Sequence, residues 1–192
     1  LNVCRAVPGG VVLFFASRAL KQCAMDTWDA AAWQSLAALK PGGVFHEPSS
    51  AAELDSTVRA YSDAATQQGA ILLAVIGGRL SEGVNFGDDR CRALLVFGLP
   101  FPNEHGDPEQ WERAEHCRSS GGDPVALRHA QCMRRVNQTI GRALRHAGDR
   151  AIIMLLDQRF GRDKVKADLP AWMHGSILVP PFTFPAVYPR IL

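Results

Sequence analysis

Short apolar runs recur along the chain and are separated by longer stretches that mix apolar and polar residues. The runs lie at residues 11–16, 71–76, 91–98 and 151–156, with a brief one at 44–45. Short runs rich in β-branched and aromatic side chains are typical of strands buried on both faces of a sheet. Because helical patterns alternate with these runs, the chain is predicted to adopt an α/β fold with a mostly parallel sheet and helices on both faces.

Capping residues and glycine or proline stops mark the predicted helices. Ser17 stands where a helix N-cap would stand, and the helix after it is expected to run to about Lys40. Ser50 and Glu53 have the spacing of a capping box, which predicts a second helix to about Gln68. Ligands of parallel sheets gather at the carboxyl ends of the strands. Chemistry is therefore expected in the loops after the strands, at residues 17–18, 77–89, 99–103 and 157–160.

The segment Gln138–Phe160 combines a polar stripe with an apolar run. It is predicted to begin as a helix, to turn at residues 147–149 and to leave as a strand. At about 100° per residue, Gln138, Arg142 and Arg145 share one stripe of that helix. Apolar residues fall on the opposite side: Met133, Val136, Ile140 and Leu144.

Two interpretations of this polar stripe stay open. It is the solvated face of an amphipathic helix, or it is an anion site, because a planar, permanently charged guanidinium can hold two phosphate oxygens. Gly141 lies between the polar residues, where the missing side chain would let a ligand or another backbone approach.

The composition is that of an ordinary soluble globular protein of one domain. The chain has 192 residues, 47% hydrophobic and 21% charged, with a net charge of +2. That net charge is too small to indicate nucleic-acid binding, but the charges are unevenly distributed. Residues 101–123 hold six acids against two arginines, a net of −4, and residues 128–150 hold six arginines against one aspartate, a net of +5. A basic segment behind an acidic, polar insertion suggests a local anion site.

Cysteine usage argues against a disulfide framework or a zinc knuckle. The five cysteines form no Cys-x-x-Cys pair and are odd in number, so a reducing compartment is expected. The six histidines show no metal-ligand spacing. The apolar run near the start is too short to span a membrane, and no signal peptide is visible. The chain opens on leucine rather than methionine, which is compatible with a piece of something longer.

The loop GGRLSEGVNF, residues 77–86, is rich in glycine but lacks the lysine of a phosphate-binding P-loop. Gly77, Gly78 and Gly83 make a flexible turn that exposes backbone and suits oxygen-rich ligands. Glu82 could accept a hydrogen bond from a ribose hydroxyl or from a water held by a metal ion. The alternative is a glycine turn with a structural carboxylate.

Several segments together resemble a known family. They are VPGGVVLFFAS, GGRLSEGVNFGDD, FGLPFPN, NQTIGRALRH and LLDQRF, in this order, with HEP at 46–48 and LPAW at 169–172. They resemble the second, C-terminal motor domain of the XPD-like iron–sulfur superfamily 2 DNA helicases, with the Chl-type (ChlR) branch as the best match. The resemblance implies a RecA-like domain at residues 1–176 with a polar insertion at about 104–123, followed by a proline-rich tail at 177–192.

The resemblance also implies roles for individual residues, because Gln-x-x-Gly-Arg-x-x-Arg resembles the last signature motif of superfamily 2. The implied catalytic residues, including two arginine fingers for the γ-phosphate of ATP, are Gln138, Arg142 and Arg145. The implied nucleotide-binding residues are Glu82, Gly83, Asn85 and Gly141. The implied contacts with the DNA backbone are Ser17, Arg18, Gly78, Arg79 and Ser81.

Family members are ATP-driven helicases that translocate on single-stranded DNA, typically 5′-to-3′. The resemblance therefore implies ATP with Mg²⁺, shared with a first motor domain, and a [4Fe–4S] cluster only in the N-terminal part. Implied partners are single-stranded or forked DNA, the first motor domain, and cohesion or replication proteins; no membrane is implied, and the expected location is the nucleus. This chain has no Walker A lysine motif and no DEAH-type box, so it is expected to hold half of an active site and to hydrolyse little ATP alone.

Two departures from the family pattern bear on these roles. Arg18 stands where many relatives carry tyrosine, which favours a phosphate contact over base stacking. Asn85 stands where several branches carry aspartate. The alternative function is a non-catalytic module that keeps the motor fold only to bind DNA or a partner.

Overall fold

The computed structural model describes residues 1–81, 86–103 and 106–179. Its centre is a five-stranded sheet in the order β2-β3-β1-β4-β5, in which every pairing is parallel. The strands are β1 (Val11–Phe15), β2 (Val44–His46), β3 (Ile71–Val75), β4 (Ala93–Phe97) and β5 (Ile152–Leu156). In the register, Val11 lies opposite Ile71 and Ala93. The predicted α/β fold with a parallel sheet is confirmed.

Helices cover both faces of the sheet, as predicted, because successive side chains of each strand point to opposite faces. One face is covered by α4 (Leu54–Gln68), α6 (Pro124–Ile140) and α7 (Asp163–Ala167). The other face is covered by α1 (Asn2–Ala6), α2 (Arg18–Asp26) and α3 (Ala30–Leu39). The remaining helix, α5 (Pro108–Ser119), packs on α6.

The core beneath α4 and α6 is built around aromatic rings. Tyr61 of α4 is fully buried, and its hydroxyl donates to the Arg90 carbonyl at 2.6 Å. Phe86 meets the rings of Tyr61 and Phe14 edge-on, with centroids 6.0 and 6.4 Å away. Burying a phenylalanine side chain stabilises a fold by roughly 1.5–3 kcal/mol. Phe86 therefore anchors the end of the glycine-rich loop to the core.

The helix after β1 begins as predicted but is shorter than expected. The hydroxyl of Ser17 accepts a hydrogen bond from the Leu20 amide at 3.1 Å, which caps α2. The single helix expected to run to about Lys40 is two helices. The break occurs because Asp29 accepts a hydrogen bond from the Ala32 amide at 2.7 Å and so starts α3 as a separate helix.

Two further helix starts differ in their capping: the first lacks the predicted cap, and the second has a capping residue. The capping box predicted at Ser50 is wrong, since its hydroxyl accepts from the Ala52 amide at 3.1 Å in a local turn and α4 begins only at Leu54. The polar insertion expected at about 104–123 contains a helix, α5. Its start combines an N-cap, Asp107, with a proline in the first turn.

All five cysteines are free thiols, and three of them are buried. Burial raises the pKa of Cys91 to about 12 and that of Cys132 to about 11. These two thiols therefore stay protonated and act as small apolar side chains at neutral pH. Within the described residues, no helix is both long and apolar enough to cross a membrane.

Candidate nucleotide and DNA site

The predicted arginine stripe is not carried by one helix. α6 ends at Ile140, and residues 141–150 form a loop, called the arginine loop below. At the helix end, the amides of Arg142 and Ala143 donate to carbonyls three residues earlier, at 3.2 and 3.1 Å, which tightens the last turn. The prediction that Gln138, Arg142 and Arg145 share one helix face is therefore wrong. Only Gln138 lies on α6.

The apolar side of the same segment is largely as predicted. Met133, Val136 and Ile140 are buried in the core, whereas Leu144 is only half-buried because it lies beyond the helix end. The predicted strand forms as β5, one residue shorter at its start. Of the three polar residues, only Gln138 can therefore belong to a solvated face of α6, because Arg142 and Arg145 lie beyond the end of the helix.

The arginine loop lies at the amino ends of β4 and β5. It leads directly into β5, and the Arg92 guanidinium, just before β4, donates to the Arg150 carbonyl at 2.9 Å. α6 returns against the direction of the strands, so its C-terminal end reaches the edge opposite to the loops that follow β1 and β3. Arg142 and Arg145 therefore lie away from the carboxyl ends of the strands, where the sequence predicted the ligand-binding loops.

Asp149 organises the arginine loop. Its side chain is fully shielded from solvent and accepts hydrogen bonds from the backbone amides of Asp88, Arg145 and Arg150, at 2.8 to 3.2 Å. It also pairs with Arg92, with 3.2 Å between Nη1 and Oδ1. Burial alone would raise the pKa of Asp149, but the three amides and the Arg92 charge together lower it. Asp149 is thus an ionised brace that holds the second half of its own loop, from Arg145 to Arg150, against Asp88 and Arg92.

The glycine-rich loop packs directly on the arginine loop. The Phe86 amide donates to the Arg142 carbonyl at 3.2 Å. At Gly87 an added Cβ would lie 2.6 Å from the Cβ of Arg145 and 3.0 Å from a carboxylate oxygen of Asp149. Only glycine allows this approach, so the two loops are in fixed contact at residues 86–88.

Three of the predicted nucleotide-binding residues, Glu82, Gly83 and Asn85, lie outside the described residues. The fourth, Gly141, is the C-cap of α6. Among the described residues, a Cβ at Gly141 would meet only the carbonyls of Asn137 and Gln138, at 3.3 and 3.8 Å. No neighbouring segment therefore requires glycine at this position.

The predicted DNA-contact residues lie at the carboxyl ends of β1 and β3. Ser17 and Arg18 are exposed at the start of α2. Lys21 lies one turn further on, and its ammonium donates to the Leu73 carbonyl of β3 at 3.2 Å. Partial burial and the nearby Arg18 lower the pKa of Lys21, and Glu47 opposes this shift. This edge therefore presents a small group of cationic side chains.

The glycine turn after β3 is held by a carboxylate from a different strand. Glu47, directly after β2, accepts hydrogen bonds from the amides of Val75 and Leu80, at 3.1 and 2.8 Å. An added Cβ on Gly78 would lie 2.3 Å from that carboxylate. Gly78 is therefore required by Glu47. Glu82, whose alternative role is that of a structural carboxylate, lies outside the described residues.

The remaining predicted DNA contacts lie in the short 3₁₀ turn Arg79–Ser81. The Arg79 guanidinium donates to the Ser49 carbonyl and is otherwise exposed. Part of its donor capacity is thus used within the chain. The structure brings the predicted DNA-contact residues together at one edge of the sheet and places Arg142 and Arg145 at the other.

In the loop after β5, where chemistry was also expected, Asp157 and Arg159 form an ion pair. Asp157 accepts hydrogen bonds from the Arg159 amide and from Nε and Nη2 of its guanidinium, at 2.9, 2.9 and 2.6 Å. The guanidinium also lies over the Phe101 ring, 5.6 Å from its centroid. The hydrogen bonds from Arg159 lower the pKa of Asp157 against the opposing effect of burial. Both charges are therefore satisfied internally.

One group of side chains has the spacing of metal ligands. Atoms of Asp88, His146 and Asp149 lie within 4.8 Å of one another. The Asp149 oxygens already accept from three amides and Arg92, so a cation would have to displace those donors. We assign no metal to this group.

Comparison with known proteins identifies the family to which this chain belongs. The helicase C-terminal domain family matches residues 1–176. This chain belongs to that family. The ATP-dependent DNA helicase DDX11 of Danio rerio is 37% identical over 91% of the chain, and the ATP-dependent DNA helicase CHL1 of Meyerozyma guilliermondii is 36% identical over 92%. The predicted resemblance to the Chl type of XPD-like helicases is confirmed.

The solved structure of an XPD helicase supports the RecA-like fold of this helicase domain. It superposes with a TM-score of 0.61 over 87% of this chain and 28% of that one, at 19% sequence identity. The chain spans only 21% and 22% of the lengths of the zebrafish and yeast relatives. The comparisons therefore identify one domain of a helicase and its fold.

Sequence reasoning missed the two carboxylates that position this helicase domain's loops. Glu47 left a weak signal, because it is the central residue of the HEP string that contributed to the family resemblance. Asp149 was seen only as part of a turn between a helix and a strand. Its backbone partners Asp88 and Arg145 could not be found from residue types, since backbone amides are present everywhere in the chain.

Proposed function

We propose that this domain is the C-terminal motor domain of an ATP-dependent DNA helicase and supplies its arginine fingers. In this proposal Arg142 and Arg145 contact the γ-phosphate of ATP bound by a first motor domain, and Gln138 orients groups beside it. The observation that supports this most is the anchoring of the arginine loop by Asp149, while Arg145 is exposed and Arg142 partly exposed. A fixed backbone suits side chains that must meet a developing charge without reorganisation.

The residues at the other edge are proposed to form part of the single-stranded DNA track. Ser17, Arg18, Gly78, Arg79 and Ser81 offer hydroxyl, amide and guanidinium donors, which suit phosphate contacts that do not depend on sequence. Residues 76–81 lie at this edge, and residues 86–87 contact the arginine loop. Nucleotide bound at one edge would thereby bias domain closure and move the DNA contacts at the other, with 5′-to-3′ translocation as the expected polarity.

ATP with Mg²⁺ is proposed to lie between this domain and a first motor domain, with Glu82, Gly83, Asn85 and Gly141 on this side. Mg²⁺ would neutralise phosphate charge there. From the family resemblance, a [4Fe–4S] cluster, which needs four thiolates, is proposed only for an N-terminal region.

The test is the DNA-stimulated ATPase activity of the full-length protein that carries this domain. Arg142→Ala and Arg145→Ala are each expected to lower turnover by about 10³-fold or more while ATP binding survives. Arg150→Ala is the matched control, because it removes an exposed arginine from the same loop. Unchanged turnover in both finger variants would leave a non-catalytic module as the function.

Two smaller proposals accompany this one. The isolated 192-residue chain should hydrolyse little ATP, and robust turnover by the purified chain would contradict the shared active site. From the family resemblance we also propose a nuclear location and partners in chromosome cohesion or replication. Imaging of a fluorescent fusion tests the location, and exclusion from the nucleus would reject it.

A further inference from the structure

A polar cavity of about 220 Å³ lies between α5 and α6, beside the glycine turn after β3. Three arginines and three glutamines face it together with the turn backbone at Gly77; they are Arg113, Arg134, Arg135, Gln110, Gln131 and Gln138. Its described lining includes no carboxylate and no aromatic ring. Such a lining is suited to an anion and offers no surface on which a base could stack.

The cavity holds an excess of positive charge. Arg113 is paired with Glu109 of its own helix and is largely neutralised. The guanidinium groups of Arg134 and Arg135, by contrast, form no ion pair or hydrogen bond with any residue of the described ranges, although the Arg135 carbonyl accepts from the Thr139 hydroxyl. Arg135 is also half-buried, so its charge is partly removed from water without a counter-charge. An anion placed between the two guanidinium groups would offset that cost.

An amide side chain completes the donor set. Gln110 of α5 is only 9% exposed as a whole residue, but its amide group reaches the solvent of the cavity and has no hydrogen-bond partner among the described residues. The amide NH₂ can donate to an oxyanion that occupies the cavity.

We propose that this cavity binds a phosphate group, held by the guanidinium groups of Arg134 and Arg135 and by the Gln110 amide. At roughly 30 Å³ per water, the volume corresponds to on the order of seven waters, enough for a tetrahedral oxyanion and part of its hydration. The phosphate comes either from a nucleic-acid strand or from a nucleotide. The site deepens the proposed function, but it is measured without ATP hydrolysis, so the two can fail separately.

The first arm uses the purified chain and a fluorescent oligothymidylate of about 20 nucleotides, followed by anisotropy over a range of salt concentrations. The double variant Arg134→Ala/Arg135→Ala is expected to bind about tenfold more weakly at low salt and to reduce the slope of log K against log salt by about 1.4. The control Arg5→Ala/Arg59→Ala removes the same charge from α1 and α4. If the control variant loses as much oligonucleotide affinity as Arg134→Ala/Arg135→Ala, the phosphate site is rejected and binding is due to non-specific attraction by positive charge.

The second arm repeats the comparison with a fluorescent ATP analogue and with inorganic pyrophosphate as competitor. Loss of oligonucleotide binding alone assigns the phosphate to a nucleic-acid strand, and loss of analogue binding alone assigns it to a nucleotide. Arg134→Lys/Arg135→Lys keeps the charge but loses the planar fork, so it should restore binding only in part. If neither probe binds the alanine variant more weakly than wild type, the cavity is not a phosphate site.

Discussion

The two loops at opposite edges of the sheet are each held by one carboxylate, but with different strength. Asp149 belongs to the arginine loop itself, is fully shielded from solvent, and combines three amide hydrogen bonds with an ion pair to Arg92. Glu47 reaches the glycine turn from the end of a different strand and, among the described residues, accepts from the amides of Val75 and Leu80. The arginine loop is therefore braced at residues 145 and 150 by a carboxylate that also holds Asp88 and Arg92, and the glycine turn at its two ends by a carboxylate with two amide donors.

This difference suggests what each loop is suited to do. A braced loop presents its side chains in one arrangement, as stabilisation of a transition state requires. A turn held at two points can adjust its backbone, and Gly77 within it has a φ of +77° and no described atom within 4 Å of where a Cβ would stand. In terms of the proposed function, the edge that carries the arginine loop is preorganised for catalysis, and the edge that carries the glycine turn can adapt to DNA.

The largest effect is expected from removing the stronger brace. Asp149→Ala leaves Arg92 and three backbone amides without their acceptor, so we expect a loss of about 3 kcal/mol in the free energy of unfolding. The melting temperature should fall by about 6–12 °C. Urea unfolding of the purified chain measures the loss.

Asp89→Ala is the matched control, because it removes the other carboxylate that pairs with Arg92, one that is 56% exposed. An exposed pair contributes less than about 1 kcal/mol. If the two variants lose the same stability, Asp149 is not a special brace and the comparison fails.

A smaller effect is expected from crowding each loop with one methyl group. Gly87→Ala brings a Cβ to 2.6 Å from the Cβ of Arg145, an atom that cannot move without the loop, and should cost about 2 kcal/mol. Gly78→Ala meets the Glu47 carboxylate at 2.3 Å, at the end of a flexible side chain, and should cost about 1 kcal/mol. Gly161→Ala, with open space around it, is the neutral control. The reverse order of the two losses would contradict the rigid-versus-adaptable contrast.

The smallest effect is a change in acid sensitivity. The pKa of Asp149 is lower in the folded chain than its ordinary value of 3.8, so its stabilisation is complete above that value and is lost as the pH falls through the folded pKa. The difference in stability between wild type and Asp149→Asn should therefore shrink between about pH 5 and pH 2. Urea titrations across this range measure it. A difference that stays constant with pH would show that the charge of Asp149 contributes nothing.

Elements set by local chemistry were predictable. The apolar runs became the parallel strands, and Ser17 caps its helix as its residue type suggests. The predicted helix boundaries were wrong where one local sequence pattern competed with another. Asp29 interrupts a helical stretch with a cap of its own, and Gly141 ends α6 before the periodic polar stripe is complete.

The sequence by itself determined the sheet, its covered faces and, through the order of short strings, the helicase family. Only the tertiary structure decided where the arginines lie and what holds them. Their loop stands at the amino edge because α6 returns against the strands, and it is fixed by Asp149 through backbone amides of residues up to 61 positions away. Periodicity describes neighbours along one element, whereas a buried carboxylate selects whichever donors the folded chain brings to it.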